Sequence, residues 1–479
     1  MLPINPQDWP GPPRLAKNGG CPVASEKKEA KAGDRRVNLA PTMGLINRLV
    51  TKELCEEVFE GVRTVERQRK LSLHSLFYFW TSVVLRAPPT LTLAFEEARV
   101  GADPLVPKLT ASLGSFFERA KTLHHGFFMG LYQRFVEFVE QEVKGQFGSC
   151  VAHLRESFST ISIIDGSRCD KIAHRLKILH NVRAVILPGC LTAVYDLFLG
   201  FATRLYFWPD AAMSEFKRAV EVIETLPIGG LLLGHRLYCS IEIFLCLKAQ
   251  ECFGLFRYTK TVKYRNLKKL SRKRIAGGIL EDFLVSISAG SRAMEIRLIC
   301  LKTGGKTYKA MTSFLDPSKL STEDVLMLYP LRWQIERLFF TLKVVLNLQE
   351  FYAANPNAVA MEIYAAATVH AAFRAGQGLT AEKLGVVPEE ISTDKLFRRL
   401  ALTAYALALR DVLHVEYQRQ NPEMQIKRPP SSRFGFMYTT LSAIRLQKRS
   451  GHRKKRRFCA SRATWKSFAH IPGCRALLE

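Results

Sequence analysis

The sequence predicts a mixed α/β fold, with a mixed sheet core flanked by helical amino- and carboxy-terminal regions. Three observations predict it. Apolar residues recur at helical spacing between about Val37 and Lys144. Near Phe158 the texture changes to short apolar runs with β-branched content, the pattern of buried strands. Helical spacing returns after Pro317. With 479 residues, 47% of them apolar, the chain is long enough for a sizeable core and more than one domain.

The elements follow in order. Roughly the first 35 residues, with Pro3, Pro6, Pro10, Pro12 and Pro13 and a Lys/Glu mixture, read as a flexible leader. In the helical segment that follows, Phe127, Phe128, Leu131, Phe135, Val136, Phe138 and Val139 mark one helix. The functional reading of the whole segment is DNA recognition by a helical domain, and the ordinary one is packing against the rest of the protein. Candidate strands are Phe158–Ile164, Ala184–Leu187, Leu191–Phe198, Gly230–Leu233 and Phe253–Tyr258, with a helix over Ser214–Thr225. A basic stretch with Lys260, Lys263, Arg265, Lys268, Lys269, Arg272, Lys273 and Arg274 comes next. Phe283–Ser288, Glu295–Leu301 and Thr307–Phe314 then read as a small antiparallel insertion, punctuated by Gly304 and Gly305. Ser321 is placed to cap a helix whose first turn holds Glu323 and Asp324, where the helix dipole favours acids. Helices continue to about Gln418, and a basic tail ends the chain.

Charge narrows the partners. Lys and Arg total 70 against 43 Asp and Glu, a formal net charge of +27. Such a field attracts polyanions, and phosphates that meet it release counterions, so nucleic acid leads the partner classes. The 11 cysteines form no Cys-x-x-Cys pair, which argues against a zinc ribbon or a redox dithiol. Met1–Pro13 lacks the charged start and apolar stretch of a secretory signal, and the apolar window Leu191–Phe207 carries Asp196 and Arg204. The expectation is a soluble cytoplasmic protein with no membrane partner.

The segment Tyr329–Lys343 carries the most specific signal. On a straight helix at about 100° per residue, Tyr329, Arg332, Glu336 and Lys343 share a stripe about 60° wide. Ile335, Leu338, Phe339, Leu342 and Leu346 form the core-facing stripe beside it. A solvated face is the ordinary reading of such a line. The functional one is that a carboxylate holds a divalent cation while Tyr, Arg and Lys grip the phosphates it activates.

The spacing Tyr-x-x-Arg-x-x-x-Glu-x-x-x-x-x-x-Lys, with Leu328, Trp333 and Ile335 around it, resembles the signature of DDE-type bacterial insertion-sequence transposases of the fourth insertion-sequence family and its relatives. The resemblance covers about Phe158–Lys343 and implies a ribonuclease-H-like catalytic core with a β-rich insertion. It implies that Glu336 is the third catalytic acid and that Tyr329, Arg332 and Lys343 bind DNA, with Arg236 assisting. Ile163-Ile164-Asp165-Gly166-Ser167 looks like the strand that bears the first catalytic Asp, so Asp165 and Glu336 are the implied metal ligands. At the second acid, Leu231-Leu232-Leu233-Gly234-His235-Arg236-Leu237-Tyr238 departs from the family and puts His235 where an Asp belongs. A neutral imidazole brings one nitrogen and no charge to a site meant for hard oxygen ligands. Three explanations stand: an inactive copy, another acid (Asp196 first, Glu242 second), or His235 ligating Mn²⁺.

The implied organisation is a leader over 1–36, a helical region over 37–150, a first part of the core over 151–260 and a basic, β-rich insertion over 261–318. The catalytic helix and the end of the core follow over 319–375, then a helical region with a basic tail over 376–479. The implied activity is cleavage and strand transfer at insertion-sequence ends with Mg²⁺, or Mn²⁺. Its partners would be double-stranded DNA, namely terminal inverted repeats and target, bound by a homodimer. The alternatives are an inactive transposase-derived DNA-binding protein and a nuclease without matched ends. The basic runs Lys260–Arg274 and Arg453–Arg457 would add phosphate contacts or form solvated surface.

Overall fold

The computed structural model describes residues 36–38, 40–63, 71–143, 145–168, 189–210, 213–275, 278–348, 351–353, 355–420 and 438–440. The leader, the candidate strand Ala184–Leu187 and the tail run Arg453–Arg457 lie outside them. Short strands β1 (Arg36–Asn38) and β11 (Tyr438–Thr440) pair with each other.

Helices α1 (Ala40–Leu49), α2 (Lys52–Val62), α3 (Leu73–Arg86), α4 (Leu91–Val100), α5 (Leu113–Thr122) and α6 (Gly126–Val143) come first. Thr51, Ser72, Thr90 and Ser112 cap four of them, each side chain accepting from the backbone N–H three residues on. Of the residues expected to mark α6, Phe127, Phe128, Leu131, Phe135, Val136 and Val139 are buried, and Phe138 lies on the outer face.

The core sheet explains why the apolar runs are uninterrupted. Its first strands are β2 (Ile161–Arg168), β3 (Cys190–Asp196), β4 (Phe201–Trp208), β5 (Leu231–Gly234) and β6 (Phe253–Arg257). β2, β5 and β6 are parallel neighbours, while β3 and β4 continue antiparallel on the far side of β2. Helices α7 (Glu215–Ile223) and α8 (Ile241–Ala249) flank β5 in sequence. Ile164, Val194 and Leu232 pack against Val222, Ile223, Ile243 and Phe244 on one face. Ile161, Ile163, Leu231 and Leu233 join the large helical core on the other. A strand buried on both faces loses the apolar/polar alternation of a half-exposed one. The strand order β4-β3-β2-β5-β6, with β3 alone running against the other four, is the ribonuclease-H-like arrangement that the resemblance implies.

Three features differ from expectation. The apolar text after Phe198 holds a further strand, β4, because Gly200, at a positive φ of 77°, lets the chain reverse directly after β3. The basic stretch is itself a strand, β7 (Tyr264–Ile275), which pairs with β8 (Gly278–Ala289). β9 (Arg292–Thr303) and β10 (Lys306–Thr312) follow, and β10 pairs with β6, so these strands continue the core sheet as nine strands ending in β7.

Behind the sheet runs α11 (Pro356–Leu384), which packs against α3, α5, α6 and β4. Its alanines, among them Ala360, Ala365, Ala366, Ala371 and Ala372, are buried around the whole helix, as a helix without a polar face requires. α12 (Thr393–Gln420) follows. Among the described residues no helix is long and apolar enough to cross a membrane.

One buried ion pair ties β8 and β9 to the chain that enters the site. Arg297, fully buried, gives Nη2 to Asp282 Oδ2 at 2.6 Å and Nη1 to the Leu320 carbonyl at 2.8 Å. Asp282→Ala strands that guanidinium, so it should lower the urea-unfolding free energy by about 3–5 kcal/mol. An effect near zero would show that the pair does not anchor this corner.

Glu362 on α11 is buried, with the Tyr352 N–H donating to Oε2 at 3.2 Å, and burial pushes its carboxyl up from 4.5 to about 8. The folded chain therefore keeps a proton between pH 4.5 and 8 that the unfolded chain has lost, and stability falls as pH rises through that window. Glu362→Gln should flatten this part of the stability profile in urea unfolding at pH 5 and pH 8. An unchanged slope would contradict it.

Candidate active site

Two strand ends and a broken helix converge. α9 (Thr322–Leu331) opens with Ser321, whose Oγ accepts from the Asp324 N–H while Asp324 Oδ2 accepts from the Ser321 N–H, a reciprocal cap that fixes where the helix starts. It ends at Leu331, one residue past Pro330, which has no N–H for the helical ladder. The Arg332 and Trp333 N–H groups reach back only three residues, to the carbonyls of Tyr329 and Pro330, at 3.2 Å each. The chain resumes as α10 (Gln334–Phe340) and passes into a π-helical turn, Thr341–Val345. The straight helix expected over Tyr329–Lys343 is thus two helices and a wide turn. The apolar stripe survives the break, since Ile335, Leu338, Phe339, Leu342 and Leu346 are all buried.

The break turns Arg332 inward. Its Nη2 lies 3.2 Å from Glu336 Oε1 and its Nη1 lies 3.8 Å from Asp165 Oδ2, so one guanidinium faces carboxylates from α10 and β2. Its Nε has no partner among the described residues. Tyr329 is buried and hydrogen-bonded to Arg332, and its hydroxyl pKa is raised by burial. The guanidinium also stacks over the Trp333 ring, 4.8 Å from its centroid. Burial, with the Asp165 charge adding to it, pushes the Glu336 carboxyl up to about 7 against the pull of Arg332. Asp165 is likewise raised by burial, opposed by His235 and Arg332. Lys343 Nζ donates to Ser167 Oγ at 2.7 Å, fastening the π-turn to the end of β2.

His235 stands directly after β5, and the parallel β2–β5 pairing brings it beside Asp165. Its Nδ1 accepts the Leu237 N–H at 2.9 Å and caps a single 3-10 turn, Arg236–Tyr238. A ring nitrogen that accepts carries no proton, so the neutral ring holds its proton on Nε2. Nε2 faces Glu215 Oε1 at 3.7 Å. Arg236 is exposed on that turn.

The acids expected to substitute at the second position lie elsewhere. Asp196 pairs across from Ser162 at the far end of β3, where Oδ1 accepts from the N–H groups of Phe198 and Leu199 at 2.6 and 3.1 Å. It terminates a strand. Glu242 pairs with Arg292 in an exposed contact at 3.4 Å. The acid that the structure does bring in is Glu215, in the first turn of α7, which sequence reasoning missed. Ligand atoms of Asp165, Glu215 and His235 lie within 4.8 Å of one another. Tyr238 donates its hydroxyl to Glu215 Oε1 at 2.6 Å. Arg218, one turn along α7, is buried, donates to Cys190 Sγ and leaves its Nε without a partner among the described residues. The only signal for Glu215 in the sequence is its place at the start of a helix, where acids are ordinary.

Residues 191–371 match the family model described as the transposase DDE domain, a span that contains His235, Tyr329, Arg332, Glu336 and Lys343 but not Asp165. A relative described as a putative transposase for insertion sequence element IS4SA, from Synechocystis sp., is 26% identical over 194 residues. That is 40% of this chain and 51% of the relative, so the chain spans about half the length of the curated relative it matches. The cryo-EM structure of a piggyBac transposase synaptic complex with hairpin DNA superposes with a TM-score of 0.38 at 10% identity, over 82% of this chain and 86% of that one. At that score the likeness carries no argument.

With Arg332 removed, Asp165 and Glu336 would lose the cation they share. Arg332→Met should therefore cost about 3 kcal/mol in urea unfolding with a chelator present. A variant as stable as the parent would mean that the guanidinium does not join β2 to α10.

Proposed function

We propose that this chain, whose residues 191–371 match the transposase DDE domain, is a DNA transposase that cleaves and joins DNA at insertion-sequence ends by divalent-cation-dependent phosphoryl transfer. The observation that carries the reading is the convergence of Asp165 and Glu336 on one buried guanidinium. Two half-buried carboxylates balanced by Arg332 are a donor set that fits Mg²⁺ or Mn²⁺.

When bound, such a cation activates a water or a DNA 3′-hydroxyl and stabilises the leaving oxygen. The residues themselves orient and neutralise. Asp165 on the sheet and Glu336 on the helix would hold the cation. Arg332 would exchange a carboxylate for a phosphate oxygen, since its fork suits either. Tyr329 backs Arg332, and Lys343 would place a second positive charge at the end of β2. Exposed Arg236 and the basic face of β7, including Lys268 and Arg274, would add phosphate contacts without reading sequence. Double-stranded DNA bearing terminal inverted repeats, and target DNA, are the proposed partners, engaged by a homodimer.

A second reading is a DNA-binding protein that keeps the fold without the chemistry. It is favoured by His235, whose ring adds no carboxylate and whose Nδ1 is committed to the Leu237 N–H. A strand-cleavage and strand-transfer assay on the element's own ends, with Mg²⁺ and with Mn²⁺, separates the two. Asp165→Asn and Glu336→Gln should each lower cleavage by about 10²–10³-fold or more while end binding persists. Ends bound and never cut by the unmodified chain would favour the second reading.

A further inference from the structure

We propose that Glu215 supplies the carboxylate that position 235 lacks, so that the cation-holding acids of this chain are Asp165, Glu215 and Glu336, with His235 and Tyr238 positioning Glu215. The inference rests on the reading of this site as cation-dependent.

Location comes first. Asp196 and Glu242 are fixed by other partners away from Asp165. Glu215 is on the helix beside β2, within reach of both Asp165 and His235. Its side chain is one methylene longer than that of Asp, which lets a helix-borne acid reach a place that a strand-borne Asp would fill.

The surroundings also favour an acid that receives a cation. Tyr238 and His235 both address Oε1, from 2.6 and 3.7 Å, which leaves Oε2 for a cation. A Cβ at position 166 would come within 3.3 Å of the Glu215 carboxyl carbon and 3.4 Å of Oε1, so a glycine there leaves the Glu215 carboxylate uncrowded. The buried Arg218 guanidinium, whose Nε has no partner among the described residues, lies on the same side, its Nη2 3.5 Å from that Cβ position. His235 is not placed to ligate. Binding through Nε2 needs the ring proton on Nδ1, where the Leu237 N–H already donates. The histidine instead stands beside Glu215, its Nε2 3.7 Å from Oε1 and short of a direct hydrogen bond, while Tyr238 is the group that donates to this carboxylate. An ordinary first-turn acid would stabilise α7 and bond to Tyr238, but its loss would not move cation affinity.

The test is Mn²⁺ binding by the full chain, followed by electron paramagnetic resonance, with no DNA and no turnover. Glu215→Gln should weaken binding by about tenfold or more, and His235→Ala by less. The double variant Glu215→Gln with His235→Asp should regain affinity, because the acid returns to the end of β5. Spin-echo spectra of the unmodified chain should show no directly bound nitrogen.

Binding by Glu215→Gln within about twofold of the parent, or a bound nitrogen that His235→Asp removes, overturns the assignment. Melting curves check the fold. If Glu215→Gln does not fold, Glu215→Asp, which keeps the charge and draws it back, should still weaken binding severalfold, and undiminished binding overturns the proposal. A parent chain that binds no Mn²⁺ at millimolar concentration defeats the cation-dependent reading itself, whereas normal parental binding with an indifferent Glu215→Gln defeats only this assignment.

Discussion

The Arg332 guanidinium is the contact on which the site depends. It is a buried cation held between a strand-borne and a helix-borne carboxylate, at the point where α9 stops just after Pro330 and the helix does not run straight through. A continuous helix would have kept Arg332 and Glu336 on one line along its own surface. The break rotates the arginine toward β2 and leaves the apolar stripe of α10 seated on β2, β3 and β4. Charge, backbone and core packing are thus solved together, and each constrains the other two.

Much of this was legible in the residues. The strand of Asp165 and the run ending at Gly234 stand out because strands buried on both faces must be apolar throughout, and the core stripe of Ile335, Leu338 and Phe339 is local enough for helical spacing to reveal. The start of α9 was visible for the same reason, since Ser321 and Asp324 satisfy each other within one turn. What escaped was non-local or masked by stronger texture. β4 hid in an apolar stretch whose reversal depends on Gly200. The basic text of β7 obscured a strand because its partner strand supplies the pairing that its own side chains do not advertise. Glu215 escaped because it meets Asp165 through the crossing of a helix over a sheet.

The neighbourhood of His235 separates two jobs of a residue at the end of β5. The imidazole caps the turn by accepting from the Leu237 N–H, ahead of Tyr238. What it does not bring is a carboxylate. Charge acts through space rather than through the chain, so a carboxylate arriving from another element can serve the same point, whereas a lost backbone contact has to be remade locally.

The long β7 strand has a consequence of a different kind. As the last strand of a nine-stranded sheet, it presents an edge to which another extended chain could add itself. Lys268, Lys269, Arg272, Lys273 and Arg274 crowd that edge, and Lys269 and Arg272 share Glu281 with Lys302, so the positive charge there is only partly cancelled. Two such edges repel one another before they can pair. The same lysines and arginines that would meet a phosphate backbone therefore keep copies of the sheet from zipping together. That protection weakens as salt rises, because mobile ions shorten the range of the repulsion.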